Sequence, residues 1–522
     1  MTDIVFCTIP KRTTNLYYAT QLPESLARLK GSVESSGFKA KNFDFNIEYY
    51  RKAFLSRNVI TMDEYFDGFN LWHEEIADNP DDKQWINQTV TEWCDKIIAE
   101  DPVWLGISLF TNYCITATYL LSKQIRKRAP HIKIVIGGFA TDTYIGFFLE
   151  TMKELSGLKT LSESDRVADF FVRANLVDAF ICGEGELSII ELLKGNMDYP
   201  GINNYAPEQI FKVEEIAEPD FSDHVLSNYV FPNVQTGQPF GPMFPVTSSR
   251  GCINRCNFCN IGALFPKFRL FKPEFIFDQI IHNYKTYGVT EFRFTDSIIN
   301  ASPNHMAKWL EMLVKYQKDN NVKFGFEGSF IVQPKERFGE YYYNLLKEAG
   351  FSLLAFGLET GSEKVRYEMN KQQTNDEVHY FVEQCLKAGL RLSMSTIIGY
   401  PTETRKDFED TLNFFKHYEK QVKSREITFE LSTFTTIDCD MPLLKCKEID
   451  LQSVNNTVGG WVANTPCDSF YTALLRTKEA DQLLDNIGYY VNNTAKMKYY
   501  DDMLNDPRYK DYYTKWKKNR TT

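Results

Sequence analysis

The sequence predicts an α/β protein. An N-terminal Rossmann-like, doubly wound parallel sheet spans residues 1–195, and a linker over 196–241 leads to a complete or partial (β/α) barrel over 242–424. A small C-terminal α/β or helical region follows over 425–522. Three observations carry this prediction. Short apolar runs alternate with amphipathic stretches of helical period, the pattern of successive β-α units. The alternation comes in two blocks, separated by a stretch rich in Pro, Asn and Asp ("MDYPGINNYAPEQ", "AEPDFSDHV"). With 522 residues, the chain is also longer than one ordinary domain of about 150 residues.

In the first block, "DIVFCTIP" reads as a strand, "LPESLARLKGSVESSG" as an amphipathic helix closed by a glycine, and "FKAKNFDFN" as a second strand. Acidic, aromatic helices follow between about residues 47 and 100 ("MDEYFDGFNLWHEEI", "QWINQTVTEWCDKIIAE"). Next come strand "VWLGISLF", helix "ITATYLLSKQIRKRA", strand "IKIVIGGFA", and strand "DAFICGEGE" running into helix "LSIIELLKG". In such sheets ligands sit beyond the C-terminal ends of the strands. The chain places Ser108 and Thr111 there after the third strand, Gly137 and Gly138 after the fourth, and Gly183 and Glu184 after the fifth. Glycines at these points admit a bulky ligand or simply make tight turns. No GxGxxG follows the first strand, so the dinucleotide fingerprint is missing.

The second block opens at "MFPVTSS". Its further strands are "VTEFRFTD", "VKFGFEGSF", "LLAFGLET" and "RLSMSTIIGYP", separated by helices such as "PEFIFDQIIHNYKTYG", "MAKWLEMLVKYQKDN" and "DEVHYFVEQCLKAG". Repeated β-α units at this spacing predict a barrel or part of one, with its active face at the C-terminal strand ends. After about Ser424 the alternation stops. "ITFELSTFTTI" is one more strand, "EADQLLDNIGYYVNNTA" and "YYDDMLND" read as helix, and the basic "YKDYYTKWKKNRTT" reads as a solvated terminal helix.

Composition narrows the function classes. Hydrophobic residues make up 43% and charged residues 25%, the balance of a globular protein. The net charge of −10 argues against general nucleic-acid or anionic-membrane binding. No apolar run of about 18 residues and no signal-peptide core is present, so the expectation is a cytoplasmic protein without a membrane span. Eleven cysteines in so long a chain do not make a disulfide scaffold, and in a reducing compartment a tight cysteine cluster reads as metal-binding or catalytic.

One such cluster occurs, in "RGCINRCNFCN": Cys252, Cys256 and Cys259, directly after the first strand of the second block. A structural zinc site takes four protein ligands, usually from two close pairs, and no second pair exists here. A distant cysteine completing a zinc site is the alternative. Three thiolates suit a 4Fe-4S cluster that leaves one iron open to a substrate or cofactor.

This stretch resembles the CxxxCxxC motif of the radical S-adenosylmethionine superfamily, with the aromatic Phe258 before the third cysteine. The resemblance implies that the three cysteines hold a 4Fe-4S cluster whose fourth iron is chelated by the amino and carboxylate groups of S-adenosyl-L-methionine. Reductive cleavage then gives a 5'-deoxyadenosyl radical, with the electron drawn from a donor such as flavodoxin or ferredoxin. Other stretches are similar to the family at matching barrel positions. Asp296 in "FRFTDSIIN" would lie near the methionine amino group, although the common Gly-Gly-Glu form is absent. Glu359 and Thr360 in "FGLETGS" would make polar contacts to the cofactor. Ile398, Gly399 and Pro401 in "IIGYPTET" would line the adenine, and Glu327 in "FGFEGSF" would face the barrel mouth.

The N-terminal order of elements is similar to the cobalamin-binding domain that precedes the barrel in cobalamin-dependent radical enzymes. By that resemblance Ser108, Thr111, Gly137, Gly138, Gly183 and Glu184 surround the corrinoid and its nucleotide tail. The chain lacks DxHxxG, so a bound cobalt would have no histidine below it. The resemblance implies methylation of an unactivated carbon in a small-molecule or peptide substrate. The alternatives are a rearrangement, cyclisation or oxidation with or without cobalamin, and a non-catalytic metal-binding protein.

Overall fold

The structure is a computed structural model. It describes the whole chain except residues 1, 11–20, 58–79, 112–113, 146–148, 163, 208–209, 211–212, 214–215, 233–238, 338, 436–441, 448, 454–459, 490–493 and 522. The helix expected at "MDEYFDGFNLWHEEI" and the residue Cys439 lie outside the described residues. The chain divides into two compact units, Met1–Pro245 and Val246–Thr522.

The first unit holds a five-stranded sheet in the order β2-β1-β3-β4-β5. Its strands are β1 (Thr2–Thr8), β2 (Ala40–Asp44), β3 (Pro102–Ser108), β4 (Lys133–Gly137) and β5 (Ala179–Ile181), and all neighbours are parallel. Helices α1 (Glu24–Ser35), α2 (Phe45–Arg57), α3 (Pro80–Ala99), α4 (Ile115–Arg128), α5 (Leu149–Ser156), α6 (Val167–Arg173) and α7 (Gly185–Leu193) connect them. The strand period of two separates two cores. Val5, Cys7, Leu105, Ile107, Ile134 and Ile136 pack with residues of α2, α3 and α4, whereas Ile4, Phe6, Trp104, Val135 and Ile181 pack with Leu26, Val33 and Ile189. Both faces are covered, so the strands are apolar throughout rather than alternating. Gly106 gives Phe6 its space: a methyl group there would stand 2.7 Å from the Phe6 ring. The strand order reverses between β1 and β3, which opens a ligand crevice at the C-terminal strand ends.

The segment expected as a linker is counted with this unit, and its described part is not a free tether. Lys30 Nζ stands 2.9 Å from Asp220 Oδ2, and Lys41 Nζ 2.7 Å from Asp223 Oδ1. The Tyr229 hydroxyl donates to Asp44 Oδ2 at 2.7 Å. The charges that made this stretch look like solvated linker are thus spent against α1 and β2.

The second unit is built on a six-stranded open sheet, a partial barrel, in the order β11-β10-β9-β8-β7-β6. The strands are β6 (Phe244–Val246), β7 (Glu291–Phe294), β8 (Gly325–Phe330), β9 (Phe351–Glu359), β10 (Arg391–Ile398) and β11 (Ile427–Thr433). From β7 to β11 every pairing is parallel. The helices between them are α8 (Pro273–Tyr287), α9 (Pro303–Asn320), α10 (Glu340–Ala349), α11 (Glu363–Glu368), α12 (Asn375–Lys387) and α13 (Arg405–His417). One sheet face is a tight aromatic core: Phe292, Phe294, Phe326 and Phe351 stack on one another and on Trp309 of α9. Residues of opposite parity, Arg293, Glu327, Ser329, Ala355, Gly357, Ser393 and Ser395, form the other face in register. Apart from Leu353, which pairs with Glu327, that face is polar or small, as suits a barrel interior open to a ligand. Helices α14 (Phe470–Asn486), α15 (Thr494–Asn505) and α16 (Pro507–Thr521) complete the unit. Among the described residues, no helix is long and apolar enough to cross a membrane.

Candidate active site

The cysteine loop leaves the sheet just after β6 and is closed by a two-residue antiparallel ladder, Ser249–Arg250 against Arg269–Leu270. Its entry is anchored by Asp296, which follows β7 and is 6% exposed. The Asp296 carboxylate accepts from the Ser248 N–H at 3.0 Å, the Ser248 hydroxyl at 2.8 Å and the Ser249 hydroxyl at 2.5 Å. Asp296 therefore orients the residues that lead into the loop. Gly251 turns the chain with φ of 88°, and a methyl group on it would stand 3.1 Å from the Lys267 carbonyl oxygen.

Inside the loop, Asn257 is the peg. Its N–H donates to the Met369 carbonyl at 2.9 Å, its Nδ2 donates to the Glu368 carbonyl at 2.8 Å, and its own carbonyl accepts from the Leu443 N–H at 2.9 Å. Phe258 packs into the core formed by Met369, Tyr400, Phe434 and residues of α14. The Cys259 N–H donates to the Cys256 carbonyl at 3.1 Å, and the Asn254 N–H points at Cys252 Sγ at 3.4 Å. All three thiols are free, with Cys256 buried and the other two half-buried.

The thiols feel one another. Burial pushes the Cys256 thiol up to about 11; Glu359, Cys259 and Cys252 add to the rise and Lys371 opposes it. Burial also raises Cys259, with Cys252 and Glu359 contributing. Among the described residues no three His, Cys, Asp or Glu side chains are gathered tightly enough to hold a single metal ion. Thiolates that each bind a different iron of one cluster stand farther apart than the ligands of one ion. The donor set, three soft sulfurs on one loop, fits an iron-sulfur cluster.

Glu359 ends β9 with φ of 64°, in the left-handed region unusual for a residue with a side chain, after a register shift between Gly357 and Glu359. This kink carries its carboxylate to Lys371 Nζ in a buried ion pair; each residue is 6% exposed. Thr360 is fully buried, and its hydroxyl shares a 2.9 Å hydrogen bond with the Thr411 hydroxyl. Ile398 ends β10 and its carbonyl accepts from the Phe434 N–H at 2.8 Å; the Pro401 carbonyl accepts from the Cys467 N–H at 3.0 Å. Gly399 lies against Ala473 of α14. Glu327 stands mid-strand, paired with Arg293 and Leu353 on the polar face, because β8 runs on to Phe330. It therefore lies short of the strand end at which the mouth was expected.

In the first unit, Ser108 and Gly137 are paired at the ends of β3 and β4, with Gly138 following, while the Thr111 carbonyl accepts from the Cys114 N–H at 2.9 Å at the start of α4. The Leu109 N–H donates to the Gly137 carbonyl at 2.7 Å, and Gly138, with φ of 114°, lets the Leu109 carbonyl approach. Gly183 and Glu184 are engaged otherwise. Gly183, with φ of 80°, faces Pro207, which a methyl group there would meet at 2.4 Å, and Glu184 Oε2 accepts from the Ile210 N–H at 2.8 Å.

Sequence reasoning missed Lys371, Asn257 and the Glu403–Arg476 pair. "MNKQQT" gives no local signal that its lysine meets a glutamate twelve residues earlier across a short helix. Asn257 sits in plain view between the cysteines, but its partners lie on segments more than 100 residues away.

Residues 246–415 match the radical SAM superfamily. The second unit therefore carries a radical S-adenosylmethionine domain, preceded by a first unit of cobalamin-binding-like fold. Among named proteins, the chain is 26% identical over 340 residues to the uncharacterized methyltransferase PH0819 of Pyrococcus horikoshii, covering 62% of this chain and 66% of that one. It is 23% identical over 353 residues to the putative methylthiotransferase MJ0865 of Methanocaldococcus jannaschii, covering 66% and 72%. The fold is shared with the methyltransferase TsrM of Kitasatospora setae, solved with cobalamin and a [4Fe-4S] cluster, at TM-score 0.57 and 15% identity over 85% of this chain and 77% of that one. It is also shared with the cobalamin-dependent radical enzyme OxsB, at TM-score 0.61 and 15% identity over 96% and 70%.

Proposed function

We propose that the protein uses radical chemistry at an unactivated carbon of a small-molecule or peptide substrate to carry out a rearrangement, cyclisation or oxidation, with a corrinoid at the C-terminal edge of the first sheet. The observation that carries this reading is the reach of the likeness. It extends over 96% of the chain for OxsB, described as a cobalamin-dependent radical enzyme, and over 85% for the methyltransferase TsrM. When bound, the 4Fe-4S cluster and S-adenosylmethionine supply a hydrogen-abstracting 5'-deoxyadenosyl radical, and the corrinoid supplies a second redox centre.

The chain's own residues do the rest. Cys252, Cys256 and Cys259 would hold three irons, and Asp296 and Asn257 fix the loop that presents them. Glu359 and Lys371 form a buried pair of opposite charges beside the thiols, suited to the ammonium and carboxylate of an amino-acid group. The Ile398–Pro401 turn supplies backbone for an adenine. Ser108, Thr111, Gly137 and Gly138, at and after the ends of β3 and β4, would line a flat macrocycle, whereas Gly183 and Glu184 pack against Pro207 and Ile210. The polar face of the second sheet, with small residues at Ala355, Gly357, Ser393 and Ser395, would take the substrate. An electron donor such as flavodoxin or ferredoxin completes the scheme.

Methylation of an unactivated carbon is the second reading, favoured by the relatives named as methyltransferases. The co-products separate the two. Iron- and corrinoid-loaded protein is incubated anaerobically with S-adenosylmethionine and a reductant, and nucleosides are quantified. The first reading expects 5'-deoxyadenosine without S-adenosylhomocysteine. Accumulation of S-adenosylhomocysteine, the co-product of methyl transfer, would replace it with the second.

A further inference from the structure

The superfamily match ends at residue 415, yet the turn after β10 is built against a helix from outside it. Gly399 has φ of 80°, and a methyl group added to it would stand 2.2 Å from Ala473 Cβ and 2.5 Å from Ala473 Cα. Helix α14 and the turn therefore touch nearly backbone to backbone. Three residues along the same face, Arg476 Nη1 donates to both the Glu403 carbonyl and Glu403 Oε1, each at 2.8 Å. One residue further, the Thr477 hydroxyl accepts from the Thr433 hydroxyl at the end of β11, at 2.9 Å. Residues spaced i, i+3 and i+4 lie on one side of a helix, so a single face of α14 reads the whole strand-end turn.

Glu403 is fully buried, and Arg476 is 9% exposed. The turn closes on this carboxylate from within. The Glu403 N–H donates to the Tyr400 carbonyl at 2.8 Å, and the nearby Gly399 N–H favours the charged form of the Glu403 carboxyl. The conformation of Ile398 to Pro401 thus depends on a buried anion whose cation comes from the C-terminal region. Without that cation the carboxylate must take up a proton or swing toward water, because an unpaired buried charge is costly. Either change removes the charge that the Gly399 N–H favours and the side-chain contact that ties the turn to α14. Burial already holds the Glu403 carboxyl up at about 7, against the opposing pull of Arg476.

We infer that Arg476 is a positioning residue for S-adenosylmethionine, acting through Glu403 on the Ile398–Pro401 turn, so that the C-terminal region belongs to the cofactor site. The inference rests on the proposed reading of that turn as the adenine wall. It assigns α14 a task that neither a substrate lid nor a solvated appendage would have.

The test is equilibrium dialysis of labelled S-adenosylmethionine against iron-loaded full-length protein without reductant, so that binding is read apart from turnover. Iron content and melting temperature are measured alongside. Arg476→Met is expected to raise Kd by about tenfold or more while iron per chain stays at the wild-type level. The double variant Arg476→Met/Glu403→Gln, which removes the buried anion with its cation, is expected to return Kd close to the wild-type value. Arg476→Lys should fall between, because a point-like ammonium replaces a planar fork. Wild-type affinity in Arg476→Met, or a double variant as weak as the single one, would overturn the inference. If Arg476→Met does not fold, Arg476→Lys and the double variant carry the test, and wild-type affinity in Arg476→Lys would overturn it. Failure of the iron-loaded wild type to bind S-adenosylmethionine at all would instead count against the reading of the turn itself.

Discussion

Cys256→Ala is expected to leave a folded chain that retains no stable cluster and releases no 5'-deoxyadenosine. Of the three loop cysteines it is the buried one, standing between the thiols that flank it in sequence and beside the Glu359–Lys371 pair. Removing it leaves two half-buried thiolates, too few to hold a cubane against loss of iron to solvent. The polypeptide should survive the change, because the loop is pinned by Asn257 to the Met369, Glu368 and Leu443 backbone and by Asp296 at its entry, none of which depends on the Cys256 sulfur. The checks are iron and sulfide per chain after anaerobic reconstitution, with circular dichroism to show that the fold persists. A variant that keeps its iron at the wild-type level would contradict the assignment of this cysteine.

Lys371→Met is expected to destabilise the protein by about 3–5 kcal/mol, the cost of stranding one member of a buried ion pair. Lys371 and Glu359 are each 6% exposed, so the lone carboxylate cannot turn easily to water. It would also remain beside thiols whose own ionisation it opposes. Lys371→Met/Glu359→Gln should recover most of the loss, because no uncompensated charge is left. Denaturant midpoints of the metal-free proteins measure both effects. Equal stability of Lys371→Met and wild type would mean that the pair is open to solvent in the working protein. The same pair predicts that Lys371→Met reconstitutes with less iron, since the cation that favours thiolate at Cys256 is gone.

The fold was legible where side-chain period is imposed by layers. The apolar runs of β1, β3 and β4 are largely buried on both faces, which makes them continuous, and the glycine read as closing α1 follows that helix as Gly37 with φ of 89°. The alternation in "FGFEGSF" likewise showed two faces, with Phe326 and Phe330 on the aromatic side and Glu327 opposite. It could not show how far the strand runs past Glu327, because strand ends are set by pairing partners and not by period. The cysteine spacing pointed to the chemistry because all three ligands lie within one loop.

What joins distant segments was not legible. Asp296 to Ser248, Glu403 to Arg476 and Asp44 to Tyr229 are separated by 48, 73 and 185 positions. Each residue alone has the composition of a strand end, a turn or a linker. Their pairing arises only when a packed core brings the segments together and burial makes an unpaired charge or hydroxyl expensive. The C-terminal region was opaque for the same reason: "TPCDSFYTALL" gains meaning only when Ala473 meets Gly399.

The measurement that tests the central claim most directly is the release of 5'-deoxyadenosine from S-adenosylmethionine by wild-type protein, purified and reconstituted without oxygen and supplied with a strong reductant, with iron and sulfide quantified per chain. The account predicts about four irons per chain and reductant-dependent formation of 5'-deoxyadenosine with an equal amount of methionine. Protein that carries zinc in place of iron, or that holds a full cluster yet leaves S-adenosylmethionine intact, would contradict it.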